Sequence, residues 1–196
     1  MSRYKLTVEY DGSEFVGWQW QANGYSVQQA LEEAVAAFGG EAVRVHGAGR
    51  TDAGVHAMAQ CCHLDLAAAP PPETLRDALN AHLRPRRVVV LSAETVAEDF
   101  DARRSATARI YRYRIVNRRA PLALDAKRAW QISRALDSDA MAGAAKRLLG
   151  RHDFSSFRAS ACQAPSPVKT LDALDVMRHG EEIHLTARSQ SFLHHQ

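Results

Sequence analysis

Gly49-Arg50-Thr51-Asp52-Ala53-Gly54-Val55-His56 stands between two strand-like runs, Ala42 to Ala48 and Ala57 to Leu66. A tight connection at that place holds an arginine, a carboxylate and an imidazole at one end of a sheet. Asp52-Ala53-Gly54 carries ordinary turn chemistry, because Asp bonds the backbone ahead of it and Gly tolerates positive φ. No turn requires all eight residues, so the octapeptide as a whole asks for a chemical explanation.

Outward from it, Arg3 to Tyr10 alternates as a strand, with Tyr4, Leu6 and Val8 on one face. Residues 11 to 25 read as a loop. Ser26 caps a helix, Gln29 is placed to answer it as a capping box, and Val27, Ala30, Leu31, Ala34, Val35 and Phe38 form the apolar stripe. Gly39 supplies the stop. After Pro70-Pro71-Pro72, Glu73 to Leu83 is a second helix with Leu75, Leu79 and Leu83 inward, and Arg86 to Val96 is a strand. Strand, helix, strand, strand, helix, strand is the ferredoxin-like (RRM-like) order, an α+β arrangement with the helices on one side of an antiparallel sheet.

The pattern then restarts. Ala108 to Asn117 is a strand, Asp137 to Leu149 a helix capped by Asp137 or Ser138, and Thr170 to Arg178 and Glu181 to Ser189 are strands joined at His179-Gly180. The final helix and strand of the copy are missing. We therefore expect an N-terminal half over 1–104 carrying the Asp52 loop, and an incomplete second half over 105–196. Their sheets are expected to join into one extended sheet.

With 46% hydrophobic and 24% charged residues among 196, the chain is expected to be globular. Its apolar runs are too short to span a bilayer, and strand alternation starts at the N-terminus, leaving no room for a signal peptide. Cys61, Cys62 and Cys162 have neither disulfide nor metal spacing, so small buried hydrophobes in a reducing cytoplasm are expected. Net charge is only +3, but Arg103, Arg104, Arg109, Arg112, Arg114, Arg118 and Arg119 fall in one stretch without an acidic residue. Such a field suits phosphate contacts, which set register without reading bases.

The octapeptide resembles the active-site segment of the tRNA pseudouridine synthases of the TruA family. The resemblance runs in order through Tyr10-Asp11-Gly12, Gly17-Trp18-Gln19, Leu79 to Leu83, Asp99 to Arg103, Ser105 to Arg109, Tyr111-Arg112-Tyr113, Asp153 to Arg158, and Ser191 to His195. It implies the pseudouridine synthase fold, a homodimer, and uridine-to-pseudouridine isomerisation at nucleotides 38, 39 and 40 of tRNA. It makes Asp52 the nucleophile and Tyr111 the ring lying against the target uracil. The family's arginine partner for that Asp falls in a Val-Arg step after a segment like Ser191 to Gln196, and this chain ends before it. Trp20 stands where the family usually has a basic residue.

A carboxylate suits this reaction, since it can attack sugar C1′ or base C6 and later leave. No redox change or group transfer occurs, so neither cofactor nor metal is called for. Arg50 is read as an RNA residue, filling the space a base vacates or holding a displaced phosphate. Tyr113 shares the alternation face of Tyr111. Arg103, Arg104, Arg109, Arg112 and Arg114 are candidate RNA contacts. His56 is read as a hydrogen-bonding support of the loop, and Phe154 and Phe157 as core. Two other classes compete: a non-catalytic RNA-binding protein, and a metal-dependent hydrolase built on Asp52, His56 and Asp65.

Overall fold

Along the first strand, β1 (Ser2–Tyr10), Tyr4, Leu6, Val8 and Tyr10 are buried while the residues between them are half-buried or exposed. That period of two needs a partner layer on one face only. The computed structural model, which describes residues 1–160, 162 and 164–193, supplies it with two helices. These are α1 (Val27–Gly39), presenting Val27, Ala30, Leu31, Ala34 and Val35, and α2 (Pro72–Leu83), presenting Leu75, Leu79 and Leu83. Ser26 Oγ accepts the Gln29 N–H at 3.1 Å as the N-cap requires. The Gln29 side chain turns to Glu33 instead of closing the box, and the C-cap is Gly40, one residue past the expected stop.

The remaining strands of this sheet are β2 (His46–Gly47), β3 (Ala57–Leu66) and β4 (Val88–Val96), in the order β2-β3-β1-β4, with every neighbouring pair antiparallel. That is the ferredoxin-like order. The expected strand over 42–48 shrinks to two residues. Its backbone is satisfied elsewhere: Val45 N–H donates to Glu32 Oε1 at 3.0 Å, and Gln28 Nε2 donates to the Val45 carbonyl at 3.1 Å. Side chains of α1 thus take the place of a ladder partner.

Contacts divide the chain into two units, Met1–Ala106 and Thr107–Gln196. The second contains β5 (Arg109–Val116), β6 (Trp130–Gln131), α3 (Ser138–Lys146), β7 (Gly150–Asp153), β8 (Val168–His179) and β9 (Glu182–Ser189). Asp137 is its helix cap, accepting from the N–H groups of Asp139 and Ala140. The sheet order is β6-β5-β9-β8-β7, and α3 packs on β8. The anticipated strand, helix, strand, strand correspond to β5, α3, β8 and β9. Two short strands are added. One, β6, runs parallel to β5 over Ile115 and Val116, so the sheet is mixed and not purely antiparallel. The chain returns there because Asn117 Nδ2 donates to the carbonyls of Ile132 and Arg134.

Strand pairing among the described residues therefore yields two sheets, of four and five strands, where the sequence anticipates one extended sheet. The ladders of each close within its own unit. Phe154 is buried with Leu171, Cys162 and Leu193, but Phe157 is 50% exposed, which corrects its assignment to the core. Cys62 is buried, and burial pushes its thiol up; Cys61 is only half-buried.

A strap over residues 97–106 covers the face of β3 that carries His63. Arg3 holds it, pairing bidentately with Asp65 at 2.8 and 2.7 Å and donating to the carbonyls of Glu98 and Phe100. His63 holds it too: Nδ1 accepts the Ala102 N–H at 3.1 Å, and the ring stacks on His46 at 5.0 Å. Burial, then the neighbouring His46 and Arg3, lower the His63 pKa from its usual 6.5. The unfolded chain takes the proton more readily, so this contribution is full above pH 6.5 and is lost as pH falls through the lowered folded value. Urea unfolding at steps from about pH 7.5 to 5 is expected to show declining stability. His63→Asn, whose amide oxygen replaces the acceptor without a titrating ring, is expected to flatten the decline.

Candidate active site

The octapeptide leaves β2 and enters β3, and its backbone lies against the segment that follows β1. Trp18 N–H donates to the Thr51 carbonyl at 2.9 Å, and Gly54 N–H donates to the Phe15 carbonyl at 3.3 Å. The approach is so close that side chains are excluded. A Cβ on Gly12 would lie 2.0 Å from the Val55 carbonyl oxygen, and one on Gly17 would lie 2.5 Å from that of Thr51. Gly17 also has φ +117°, a conformation that only glycine adopts without strain. Neither glycine sits there for a turn alone.

Side chains tie the loop at both ends. On the N-terminal side, the Tyr10 hydroxyl meets Thr51 Oγ1 at 2.8 Å, and Gln60 Nε2 donates to the Gly49 carbonyl at 2.9 Å. On the C-terminal side, His56 Nδ1 lies 3.2 Å from the Gly12 N–H and 3.0 Å from Asp11 Oδ1. Arg87 completes this cluster, its Nη1 reaching Asp11 Oδ2 at 3.1 Å. Within the loop, Val55 N–H donates to the Asp52 carbonyl at 3.2 Å, closing a turn.

Between these anchors Asp52 is exposed, and so is Arg50. None of the ion pairs found among the described residues involves Arg50. An exposed aspartate on a loop fastened on both sides is suited to meet a substrate as nucleophile or base. The hydrolase ligand set is not brought together. Asp65 lies at the other end of β3 from His56 and is engaged by Arg3, and no group of three or more His, Cys, Asp or Glu among the described residues could hold a metal.

Arg103 and Arg104 belong to the first unit, where both side chains are exposed and both backbone N–H groups donate to Asp101 Oδ1. Tyr111 belongs to the second. It is half-buried on β5, opposite Ala187, with Phe192 edge-on at 5.0 Å and 89°. After β9, Ser189 Oγ accepts the Ser191 N–H at 3.2 Å and has the carbonyls of Thr170 and Ser191 as alternative acceptors at 2.7 and 2.8 Å, just before Phe192 comes to lie beside that ring. Tyr113, on the same face, is 61% exposed.

The arginines of β5 differ in what surrounds them. Arg112 is exposed, and Arg109 Nη1 donates to the Gln190 carbonyl. Arg114 is held by Glu182 at 3.2 and 2.7 Å and by Asp125 at 3.0 Å. Hydrogen bonding from Arg114, then from His184, pulls the Glu182 carboxyl down to about 2. Trp20, 48% exposed, donates its backbone N–H to Gln28. The terminal His194 and His195 lie outside the described residues. Sequence reasoning gave no separate role to Tyr10, Asp11, Gly12 and Gly17. The only signal available was that they fall in one motif, Tyr10-Asp11-Gly12 with Gly17-Trp18-Gln19, in a stretch otherwise read as loop.

A sequence profile described as tRNA pseudouridine synthase matches residues 6–103 and 144–196. The tRNA pseudouridine synthase A of Parvibaculum lavamentivorans is 57% identical over all 196 residues, which span 80% of that protein. Those of Paramagnetospirillum magneticum and a Methylobacterium species are 61% and 62% identical over the whole chain, covering 77% and 78% of their lengths. The Asp52 loop is thus part of an isomerase scaffold. The chain belongs to the tRNA pseudouridine synthase family.

The glycine contacts give a direct test of how the loop is held. Gly17→Ala is expected to destabilise the protein by about 1–3 kcal/mol in denaturant unfolding, as overpacking does, and to speed amide exchange across Thr51 to Val55. Gly39→Ala, where a Cβ meets nothing within 4 Å, is expected to do neither.

Proposed function

We propose that this chain isomerises uridine to pseudouridine in the anticodon stem-loop of tRNA, at nucleotides 38 to 40, with Asp52 as the nucleophile. The observation that carries the reading is the exposure of Asp52 on a loop anchored through Thr51 and His56. In the reaction the N1–C1′ bond breaks, the base turns, and a C5–C1′ bond forms. The proton on C5 is lost and N1 gains one, so no atom is left over. Asp52 adds to C1′ or C6 and is released at the end.

Arg50 is the residue proposed to stand in for the extruded base, as its exposure two residues from Asp52 allows. Tyr111 is the proposed platform for the uracil, with Phe192 bracing its ring edge-on. Arg103, Arg104, Arg109 and Arg112 are the proposed phosphate contacts. The charge of Arg114 is already matched by Glu182 and Asp125, which supports a structural role for it in place of an RNA contact. No helix among the described residues is long and apolar enough to cross a membrane. A cytoplasmic homodimer is part of the same proposal.

Purified protein incubated with unmodified tRNA transcript is expected to form pseudouridine, detected chemically, with metal chelated. Asp52→Asn is expected to reduce the rate by more than about 1,000-fold, as losing a nucleophile does, and to leave tRNA affinity nearly unchanged. Salt-sensitive binding by wild type without product would instead identify a non-catalytic RNA-binding protein. Among the arginines, Arg112→Ala is expected to weaken binding and to reduce the salt slope by about 1. Arg114→Ala is expected to lower the melting temperature instead.

A further inference from the structure

Granted the isomerase reading above, we propose that Asp11 and His56 are positioning residues for Asp52, with Arg87 holding the carboxylate of Asp11 in place. Neither touches the reacting atoms. Their effect is on where the loop presents the nucleophile.

The two ends of the loop are fastened differently. Thr51 is held by neutral contacts: its carbonyl accepts from Trp18 N–H, its hydroxyl meets Tyr10, and its backbone is pressed against Gly17. The far end shares backbone contacts of that kind, Gly54 with Phe15 and Val55 with Gly12, and adds a charged one through a ring nitrogen. His56 Nδ1 has the Gly12 N–H at 3.2 Å and Asp11 Oδ1 at 3.0 Å. The first contact needs a lone pair on Nδ1 and the second needs a proton there. A single nitrogen serves one of them at a time, so the charge on Asp11 governs how His56 is held.

That charge is itself maintained at a cost. The Asp11 side chain is only 12% exposed, and a carboxylate so far removed from water requires partners. It has them: Arg87 at 3.1 Å, 64% exposed on its own side, and the Ser13 N–H, also at 3.1 Å. Asp11 N–H donates to the Arg87 carbonyl at 3.0 Å, so backbone and side chain pin the same pair of residues. The chain Arg87–Asp11–His56 thus runs from solvent to the base of the turn closed by Asp52 and Val55. A charged cluster bonded to the loop that carries the nucleophile fits control of where that loop lies.

Misplacing a nucleophile by about 1 Å can cost about 100-fold in rate. Asp11→Asn keeps the size of the side chain and an acceptor for Ser13, and removes only the charge. It is expected to lower kcat by about 10- to 100-fold, with little change in KM for tRNA transcript or in melting temperature. Arg87→Gln is expected to lower kcat in the same direction by a smaller factor. A lost phosphate contact would instead raise KM. His56→Asn, which keeps an acceptor near the Nδ1 position, is expected to retain much more activity than His56→Leu. Unchanged kcat in both Asp11→Asn and Arg87→Gln, or losses confined to KM, would overturn the assignment.

Amide exchange on the free protein reads loop placement without turnover. Faster exchange across Thr51 to Val55 in Asp11→Asn is expected, and unchanged exchange would overturn the assignment even if wild type proved inactive. A silent wild type would count against the isomerase reading alone. Should Asp11→Asn fail to fold, the Arg87→Gln and His56 variants carry both measurements.

Discussion

Everything at the Asp52 loop follows from one contact: the backbone of residues 12–17 lies directly on the backbone of residues 51–55. Carbonyl oxygens stand where a Cβ of Gly12 or Gly17 would be. Two chain segments can approach that closely only if one of them is bare on the facing side. Once they do, hydrogen bonds between Trp18 and Thr51 and between Gly54 and Phe15 form at short range. The loop then has few alternative positions, and Asp52 is exposed between its anchors.

The same economy appears in how each unit treats its charged groups. Charges that define structure are matched: Arg3 with Asp65, Arg114 with Glu182 and Asp125, Arg87 with Asp11. Arg50, Arg103, Arg104 and Arg112 are exposed, as the paired Arg87 also is. An isolated surface ion pair is worth little, but one guanidinium shared by two carboxylates defines a geometry. The arginine-rich segment therefore holds a structural tether, Arg114, beside exposed arginines.

Much of the fold was legible because its signals are local. The stripe of Val27, Ala30, Leu31, Ala34 and Val35 repeats with the helical period, and the alternation in β1 repeats with period two, so both elements stand close to where their patterns put them. The short β2 was not legible. Val45 bonds to Gln28 and Glu32, and no property of residues 42–48 announces that helix side chains will satisfy their backbone. Phe157 looks like core by composition, yet the turn after Phe154 leaves it half in solvent. Arg112 and Arg114 share one face of β5, and nothing in their spacing separates an exposed cation from a bound one.

By itself the sequence determined the element order, the two inward faces of α1 and α2, and the family, since each rests on residues close in the chain or on a string of motifs. It also singled out Asp52 and Tyr111. Tertiary structure alone decided that Asp11, Gly12 and Gly17 embrace the Asp52 loop, and that the Arg114 charge is matched within its own unit. The reason is distance along the chain: Gly12 meets His56 across 44 positions and Arg114 meets Glu182 across 68, and only a folded backbone brings such groups within hydrogen-bonding reach.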